Sequence, residues 1–326
     1  MSSPVPSPTA PGGQRLALAA LLVMTAAWGS TFFMIKDVVT RIPVVDMLAV
    51  RFALAAVALL ALAAPSFTRL ARSPADLRRV LRNGAVLGVL YGAAQLLQTF
   101  GLARTDASVS GFITGLYVVL TPVLGALLFR VRLNALTWLA VVLAGVGLGV
   151  LSLRGFAIGP GELLTLGSAV LYALHILTLD RLGRHGEETA LAAVQMVVIA
   201  LICGVAAVPG GLRLPASGTD WLIVLYLAVV AGALAMFLQT WAQARVGATR
   251  AAVVMAMEPV WAAAFAITLG SDRLSVRIVI GGLAILAAMY LVEIGPALRT
   301  RRRTRALATA TAAREALDAA PPDREP

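Results

Sequence analysis

The stretch LQTFGLAR at residues 97–104 recurs as LQTWAQAR at residues 238–245, with five of the eight positions identical and Phe replaced by Trp at the fourth. The offset between the copies is 141 residues, and without gaps it also pairs Leu133 with Leu274. Shared alanine content alone does not readily give such a match. The sequence therefore indicates an internal duplication of a unit of about 141 residues.

The composition is typical of a membrane protein. Apolar residues make up 60% of the 326-residue chain and charged residues only 13%, and the mean hydropathy is +0.88. Soluble domains average about 45–50% apolar and about 25% charged residues, so a soluble enzyme is nearly excluded. The net charge of +11 does not indicate a nucleic-acid partner, because the arginines separate apolar runs instead of covering a polar face.

Apolar runs bounded by Arg, Pro, Gly and Asp predict where the chain crosses the bilayer. A crossing helix needs roughly 20 mostly apolar residues, and lipid offers no hydrogen-bond partner to an open strand edge. The runs that meet this length lie at 16–35, 43–64, 84–103, 107–129, 134–153, 161–180, 189–209, 221–243, 249–269 and 278–295. The sequence therefore predicts ten transmembrane helices.

The duplication sets the expected organisation of these spans. We expect a cytoplasmic N-terminus at 1–15, a first repeat at 16–153, a second repeat at 161–295 and a basic tail at 296–326. Each repeat holds five spans, and because five is odd the second repeat enters the membrane from the opposite face. The predicted fold class is all-α integral membrane, with ten transmembrane helices as two inverted five-helix repeats. The alternative is a duplication that only built a stable bundle.

The orientation follows from the distribution of basic residues. With the N-terminus inside, the inner loops and tail carry 19 Lys and Arg residues against 7 on the other side. Cytoplasmic loops hold the excess of such residues, so both termini are predicted to face the cytoplasm from the inner membrane. The basic tail either binds anionic lipid head groups or is a solvated flank.

Glu258 is the leading charged candidate inside the predicted membrane region. It lies near the middle of the ninth span, and Pro259 follows at once, which removes a backbone donor and opens the helix. A charged side chain costs roughly 2.5–3.5 kcal/mol at the centre of an inserted helix, so a functional role is the default explanation. We expect Glu258 to bind a proton or a substrate amine. The alternative is a structural carboxylate that pairs with Arg or caps freed amides.

Two further ionisable residues lie within predicted spans. Arg51 is expected to be structural, either as a snorkelled anchor or in an ion pair with Asp46, rather than a substrate ligand. His175 has the ring chemistry of a proton relay. We expect instead a neutral histidine that shares a hydrogen bond with Tyr172 or with another helix, and the proton relay is the alternative.

Polar and aromatic residues recur at helical spacing on the first, third, sixth and eighth spans. If these four helices meet, they form a cavity with aromatic walls and amide groups that suits a small amphipathic solute. Hydrogen bonds between helices would explain the same residues. The predicted substrate-binding residues are Trp28, Thr31, Tyr91, Gln95, Gln98, Tyr172, His175, Gln239 and Gln243.

The sequence carries no pattern of an enzyme. It has two histidines, one cysteine, no HExxH motif, no phosphate loop and no clustered aspartates. We therefore predict that the protein is not an enzyme and uses no metal or cofactor. Its expected partners are a small-molecule substrate and the lipid bilayer, with proton coupling and oligomeric state left open.

Three stretches carry a resemblance to a known family. WGSTF at residues 28–32, FITGLY at residues 112–117, and MEPV at residues 257–260 followed by DRLS at residues 272–275 resemble the EamA-type branch of the drug/metabolite transporter superfamily. The similarity covers essentially residues 15–295. The resemblance implies ten helices in two inverted halves, no nucleotide cofactor, and commonly the export of metabolites such as amino acids or of toxic compounds.

The function expected from these observations is secondary transport. The duplication and the polar residues inside the spans predict a carrier that exports small metabolites or drugs across the inner membrane by alternating access. An importer or facilitated uniporter of similar solutes, and a membrane scaffold or sensor that transports nothing, are the alternatives.

Overall fold

The computed structural model describes residues 11–129, 133, 135–154, 157–184, 186–246 and 254–291. The predicted basic tail lies outside these residues. The helices of the described chain are α1 (Pro11–Val38), α2 (Val44–Leu70), α3 (Pro74–Leu102), α4 (Ala107–Gly115), α5 (Tyr117–Phe129), α6 (Ala135–Ser152), α7 (Pro160–Leu182), α8 (Glu188–Ala207), α9 (Gly218–Ala228), α10 (Ala235–Val246), α11 (Glu258–Thr268) and α12 (Val276–Leu291). Two short antiparallel strands, β1 (Leu153–Arg154) and β2 (Ala157–Ile158), precede α7.

The helices are those of a multi-pass membrane protein. Seven helical segments of the described chain are long and apolar enough to cross a bilayer, and two shorter apolar helices lie at Ala135–Leu151 and Val276–Leu291. The predicted ninth span, 249–269, is described only from residue 254 onward. The essentially all-helical membrane architecture is confirmed, whereas the count of ten crossings stays a prediction.

The surface and the interior have the polarity expected for a protein in lipid. Large apolar side chains such as Val57, Leu127 and Leu222 remain exposed on the outside of the bundle. Polar side chains such as Gln195 and Ser168 are fully buried. Because hydrocarbon lipid tails accept apolar surface, the polar groups are gathered between the helices.

The helix ends form two groups on opposite sides of the bundle. At the first group, which we call the Lys36 end, Lys36 donates to the carbonyl oxygen of Thr105, and Thr105 Oγ1 donates to Glu162 Oε1 at 3.0 Å. At the second group, the Arg79 end, Arg79 binds Glu187. At each end, residues of the first half contact residues of the second half. The two ends are connected by α3, whose 29 residues span about 43 Å, since an α-helix rises about 1.5 Å per residue.

More contacts hold the Lys36 end together. Asp272 Oδ2 accepts hydrogen bonds from the backbone nitrogen of Ser108 at 2.8 Å and from its hydroxyl at 2.6 Å. Arg41 binds Asp37 and Asp220, in each case at 2.7 Å. These two carboxylates raise the pKa of Arg41, because they favour its charged form. The end is therefore tied from α1 to α9 and from α4 to the segment after α11.

Glycines let the helices of the two halves approach closely. The four-residue spacing of Gly84, Gly88 and Gly92 in α3 predicts a packing face. A Cβ added at Gly84 would lie 2.6 Å from Val194 Cβ on α8, and one at Gly88 would lie 2.7 Å from Val198 Cβ. This face of α3 is therefore pressed against α8, as the spacing predicts.

Three predicted spans are interrupted helices. The fourth consists of α4 and α5 with a break at Leu116, and the eighth contains a π-helical turn at Val229–Leu234 between α9 and α10. In the ninth, a turn at residues 256 and 257 precedes α11, which begins at Glu258 with Pro259 as its second residue. Interrupted helices expose backbone groups inside the bundle, and π-helical turns occur frequently at functional sites.

Candidate functional site

A small cavity of about 40 Å³ lies at the centre of the helix bundle. Residues of α1, α2, α3, α4, α5, α7, α10 and α11 contribute to its wall, together with one residue just before α11. The lining residues are Trp28, Thr31, Phe32, Arg51, Tyr91, Gln95, Gln98, Thr114, Tyr117, Tyr172, His175, Ile176, Gln239, Met255 and Glu258. The wall thus combines aromatic rings with amides, hydroxyls and two groups of opposite formal charge.

Glu258 is held on the cavity wall by the interruption of its own span. As the first residue of α11, it lies at a helix N-terminus, where free amide groups favour a negative charge. Tyr117, the first residue of α5, donates its hydroxyl to Glu258 Oε2 at 3.2 Å. The two residues are separated by 141 positions, which is also the offset of the sequence duplication. Equivalent positions of the two halves are therefore in direct contact.

Close packing of α4 on α11 brings this pair together. A Cβ at Gly111 would lie 2.5 Å from Ala262 Cβ, and one at Gly115 would lie 2.5 Å from Pro259 Cγ. No larger side chain fits at either glycine without moving a helix. Gly111, just before the FITGLY stretch, and Gly115 within it therefore let α4 approach α11 and position Glu258.

Gln98 links three helices on another part of the wall. Its Nε2 donates to Thr114 Oγ1 on α4 at 3.1 Å, and its Oε1 accepts from the Tyr172 hydroxyl on α7 at 2.9 Å. Both predicted roles of the amide meet here, since the side chain lines the cavity and also bonds helix to helix. The Tyr172 ring in turn packs edge-on against Tyr91, with 5.4 Å between centroids.

The ring of His175 lines the cavity, but its Nε2 is already hydrogen-bonded. That atom shares a 2.8 Å hydrogen bond with Gln195 Oε1 on α8, and the residue is 1% exposed. Tyr91 packs edge-on against the imidazole, with 5.2 Å between centroids. The expected hydrogen bond to another helix is present, although its partner is Gln195 and not Tyr172.

The π-helical turn presents its carbonyls to the first half of the chain. Trp28 Nε1 donates to the carbonyl oxygen of Ala231 at 2.9 Å. Arg51 Nε donates to the carbonyl oxygen of Leu227, just before the turn, at 3.1 Å. The π-helical turn and the end of α9 thus each supply one acceptor to a side chain of the cavity wall.

Three polar atoms of the wall have no hydrogen-bond partner among the residues that the structure describes. They are Arg51 Nη1, Gln95 Oε1 and Gln239 Oε1. A buried polar group without a partner costs about 1–3 kcal/mol, so these atoms favour a polar guest or water in the cavity. The site can therefore offer one donor and two acceptors to a solute.

Most of the predicted site residues meet at this cavity, and two do not. Gln243 is absent from the wall, because it lies one turn beyond Gln239 toward the Arg79 end of α10. The expected ion pair between Arg51 and Asp46 does not form. Asp46 Oδ2 accepts from the backbone nitrogen of Arg213 at the Lys36 end, at 3.2 Å, while Arg51 points into the cavity.

Sequence reasoning missed the contributions of α2, α4 and α5. The sequence predicts Arg51 as a snorkelled anchor or in an ion pair with Asp46, and Thr114 and Tyr117 carry no charge that marks them inside an apolar run. One signal was present for Tyr117, because the duplication places it opposite Glu258. Phe32, Ile176 and Met255 gave no signal, since an apolar wall residue is indistinguishable from core in a sequence.

Comparisons with known proteins agree with this architecture. The sequence model of the EamA-like transporter family matches residues 15–153 and 159–294. The chain belongs to the EamA-like transporter family. A protein of Archaeoglobus fulgidus described as an uncharacterized transporter is 29% identical over 280 residues, which cover 86% of this chain and 84% of the relative.

A solved structure also shares the fold. A crystal structure described only as that of a protein aligns with a TM-score of 0.63 and 18% identity, over 86% of this chain and 97% of the other. The predicted membership of the drug/metabolite transporter superfamily is thereby confirmed through the EamA family. The family and the archaeal relative indicate a membrane transporter rather than an enzyme.

Proposed function

We propose that this EamA family protein exports small amphipathic metabolites, such as amino-acid-like compounds, or drugs across the inner membrane by alternating access. The observation that carries the proposal is the central cavity, which combines aromatic walls with unpartnered polar atoms between the two halves of the chain. Ligand sites are typically apolar cavities with a few convergent polar groups. In secondary transporters such a site lies between repeats near the bilayer midplane.

Alternating access in this proposal rests on two inverted repeats. Arg104 follows α3 at the Lys36 end, while Arg245, its counterpart in the duplication, lies 4.0 Å from Glu188 at the Arg79 end. Equivalent residues at opposite ends are what an inversion requires. The contact between Tyr117 and Glu258 supports the same geometry, because only positions near a two-fold axis meet their own counterparts.

Vesicle transport is the direct test of the proposal. The purified protein is reconstituted in liposomes and assayed for counterflow of amino acids and amphipathic drugs, with and without a proton gradient. Cells that overproduce it are compared with cells that lack it by metabolite profiling. Loss of one compound from the cells with its appearance outside supports export. Uptake of that compound identifies an importer, and movement of no compound in either assay supports a scaffold.

Accessibility labelling tests the inversion and the orientation together. Cys203 is the single cysteine and is buried, so it is replaced by Ala before a cysteine is introduced at Arg104 or at Arg245. We expect a membrane-impermeant thiol reagent to label Cys at position 104 in intact spheroplasts and Cys at position 245 only after permeabilisation. Labelling of both from the same side would contradict the inverted arrangement.

A further inference from the structure

Arg51 is a buried cation in the central cavity. It lies in the third turn of α2 and is 2% exposed. Its Nε donates to the carbonyl oxygen of Leu227, and its guanidinium carbon lies 4.9 Å from the centroid of the Phe52 ring. Its Nη1 is buried and has no hydrogen-bond partner within the described part of the chain. The Nε side of the guanidinium is thus fixed by α9, while Nη1 remains unpartnered in a residue that lines the cavity.

No carboxylate in the described part of the chain compensates this charge. The ion pairs found there join Asp37, Asp76, Glu187, Glu188 and Asp220 to other arginines, none of them Arg51. Asp46, which is close to Arg51 in the sequence, accepts a hydrogen bond from the Arg213 backbone instead. Glu258, which lines the same cavity as Arg51, accepts one from the Tyr117 hydroxyl. A buried charge normally has a paired counter-charge. The solute-free protein therefore holds Arg51 as a buried cation without a paired carboxylate in the described residues.

We propose that Arg51 binds the carboxylate group of the transported solute. This inference rests on the proposed transport function and names the substrate class for the same cavity. The planar guanidinium recognises a carboxylate through parallel hydrogen bonds, and Nη1 is the donor left free for them. The carboxylate replaces the missing counter-ion, which makes the loaded cavity electrostatically more favourable than the empty one.

The remaining wall defines the rest of the solute. Arg51 is the one cation among the described lining residues, and Glu258 lies on the same wall, so a single negative charge is favoured over a phosphate dianion. The rings of Trp28 and Tyr91 suit an apolar or aromatic body. The free oxygens of Gln95 and Gln239 accept hydrogen bonds from an amine. The solute class is therefore a small monocarboxylate with an apolar body, optionally carrying an amine.

A binding experiment that does not require transport tests this site. The full-length protein in detergent is melted in the presence of phenylalanine, 3-phenylpropionate or phenylalaninamide. All three carry a phenyl ring; 3-phenylpropionate lacks the amine, and phenylalaninamide has a neutral amide in place of the carboxylate. Binding to the folded state raises the melting temperature. We expect both carboxylates to raise it and the amide to raise it only at concentrations at least about tenfold higher, a ratio equivalent to about 1.4 kcal/mol.

Arginine variants identify the residue that makes the difference. Arg51→Gln is expected to abolish the preference for the carboxylate over the amide, and Arg51→Lys to retain part of it, because the charge remains but the planar fork is lost. Arg104→Gln is the matched control, since it removes an exposed arginine that stacks on Phe100 away from the cavity. Equal shifts for carboxylate and amide in the wild type, or no shift with either carboxylate, would overturn the proposal even if Arg51→Gln fails to fold.

Counterflow on the same preparations separates this inference from the transport proposal. Carboxylate binding that depends on Arg51, without counterflow of any solute, contradicts transport and leaves the binding site supported. Counterflow of phenylalaninamide as fast as that of phenylalanine contradicts the role of Arg51 and leaves transport supported.

Discussion

Replacement of Glu258 by Gln is expected to abolish gradient-driven accumulation of the solute while solute exchange continues. Glu258 is the one acidic side chain among the described residues that line the cavity, so it is the group there that can bind and release a proton. Glutamine keeps the size of the side chain and still accepts the hydrogen bond from Tyr117, but it cannot carry a proton. We expect uphill transport to fall by roughly tenfold or more, because the replaced carboxyl is the intramembrane group through which the proton gradient would act on the solute.

Two assays on the same vesicles measure this change. Uphill transport is followed under an imposed pH gradient, and exchange is followed by counterflow with no gradient. Glu162→Gln is the matched control, since Glu162 is buried to the same extent, 6% exposed against 5% for Glu258, but lies at the Lys36 end outside the central cavity. If the Glu258→Gln protein still accumulates solute at the wild-type level, Glu258 does not take part in coupling.

The contact between Tyr117 and Glu258 explains why coupling is assigned to one half only. These positions are counterparts in the duplication, yet one is a phenol and the other a carboxylic acid. A symmetric pair of carboxylates at that distance would repel each other when both are ionised. The tyrosine instead donates to the acid, so the divergence of the halves removes this repulsion and leaves one carboxyl group among the described residues of the cavity wall.

The sequence predicts the helices and much of the cavity, but not how the helices are rotated toward one another. Trp28 with Thr31 and Tyr91 with Gln95 are correctly grouped because polar residues three or four apart in an apolar helix share one face. Arg51 was assigned a local partner in Asp46, because sequence distance is the only distance a sequence offers. Its actual partner is the carbonyl of Leu227, which becomes a neighbour only through the packing of α2 on α9.

The sequence marks one of the three helix interruptions and gives no sign of the other two. Pro259 marks the break before α11, and the structure places that break next to Glu258 as expected. The break at Leu116 and the π-helical turn at Val229–Leu234 have no proline of their own, since Pro122 lies inside α5. Tertiary contacts, such as the hydrogen bond from Trp28 to Ala231, accompany the π-helical turn, and such contacts cannot be read along one helix.

The largest effect on stability is expected for Gly29→Val. Gly29 lies where α1 crosses α11, and a Cβ at this position would contact Trp261 Cβ and lie 2.8 Å from the backbone nitrogen of Ala262. A backbone atom cannot rotate aside as a side chain can, so α1 and α11 must separate. Overpacking of this kind costs typically 1–3 kcal/mol, and we expect about 3 kcal/mol here because a rigid backbone blocks relaxation.

Gly145→Val isolates that contact from the intrinsic cost of valine in a helix. Gly145 lies in α6 with nothing within 4 Å of an added Cβ, so the variant bears the same change in helix propensity without a clash. We expect Gly29→Val to melt well below the wild type in detergent and Gly145→Val to melt close to it. Separation of α1 from α11 would also move Trp28 away from Glu258, so Gly29→Val protein that still folds should lose transport. Equal melting temperatures for the two variants would contradict the close crossing of α1 and α11 on which the cavity wall depends.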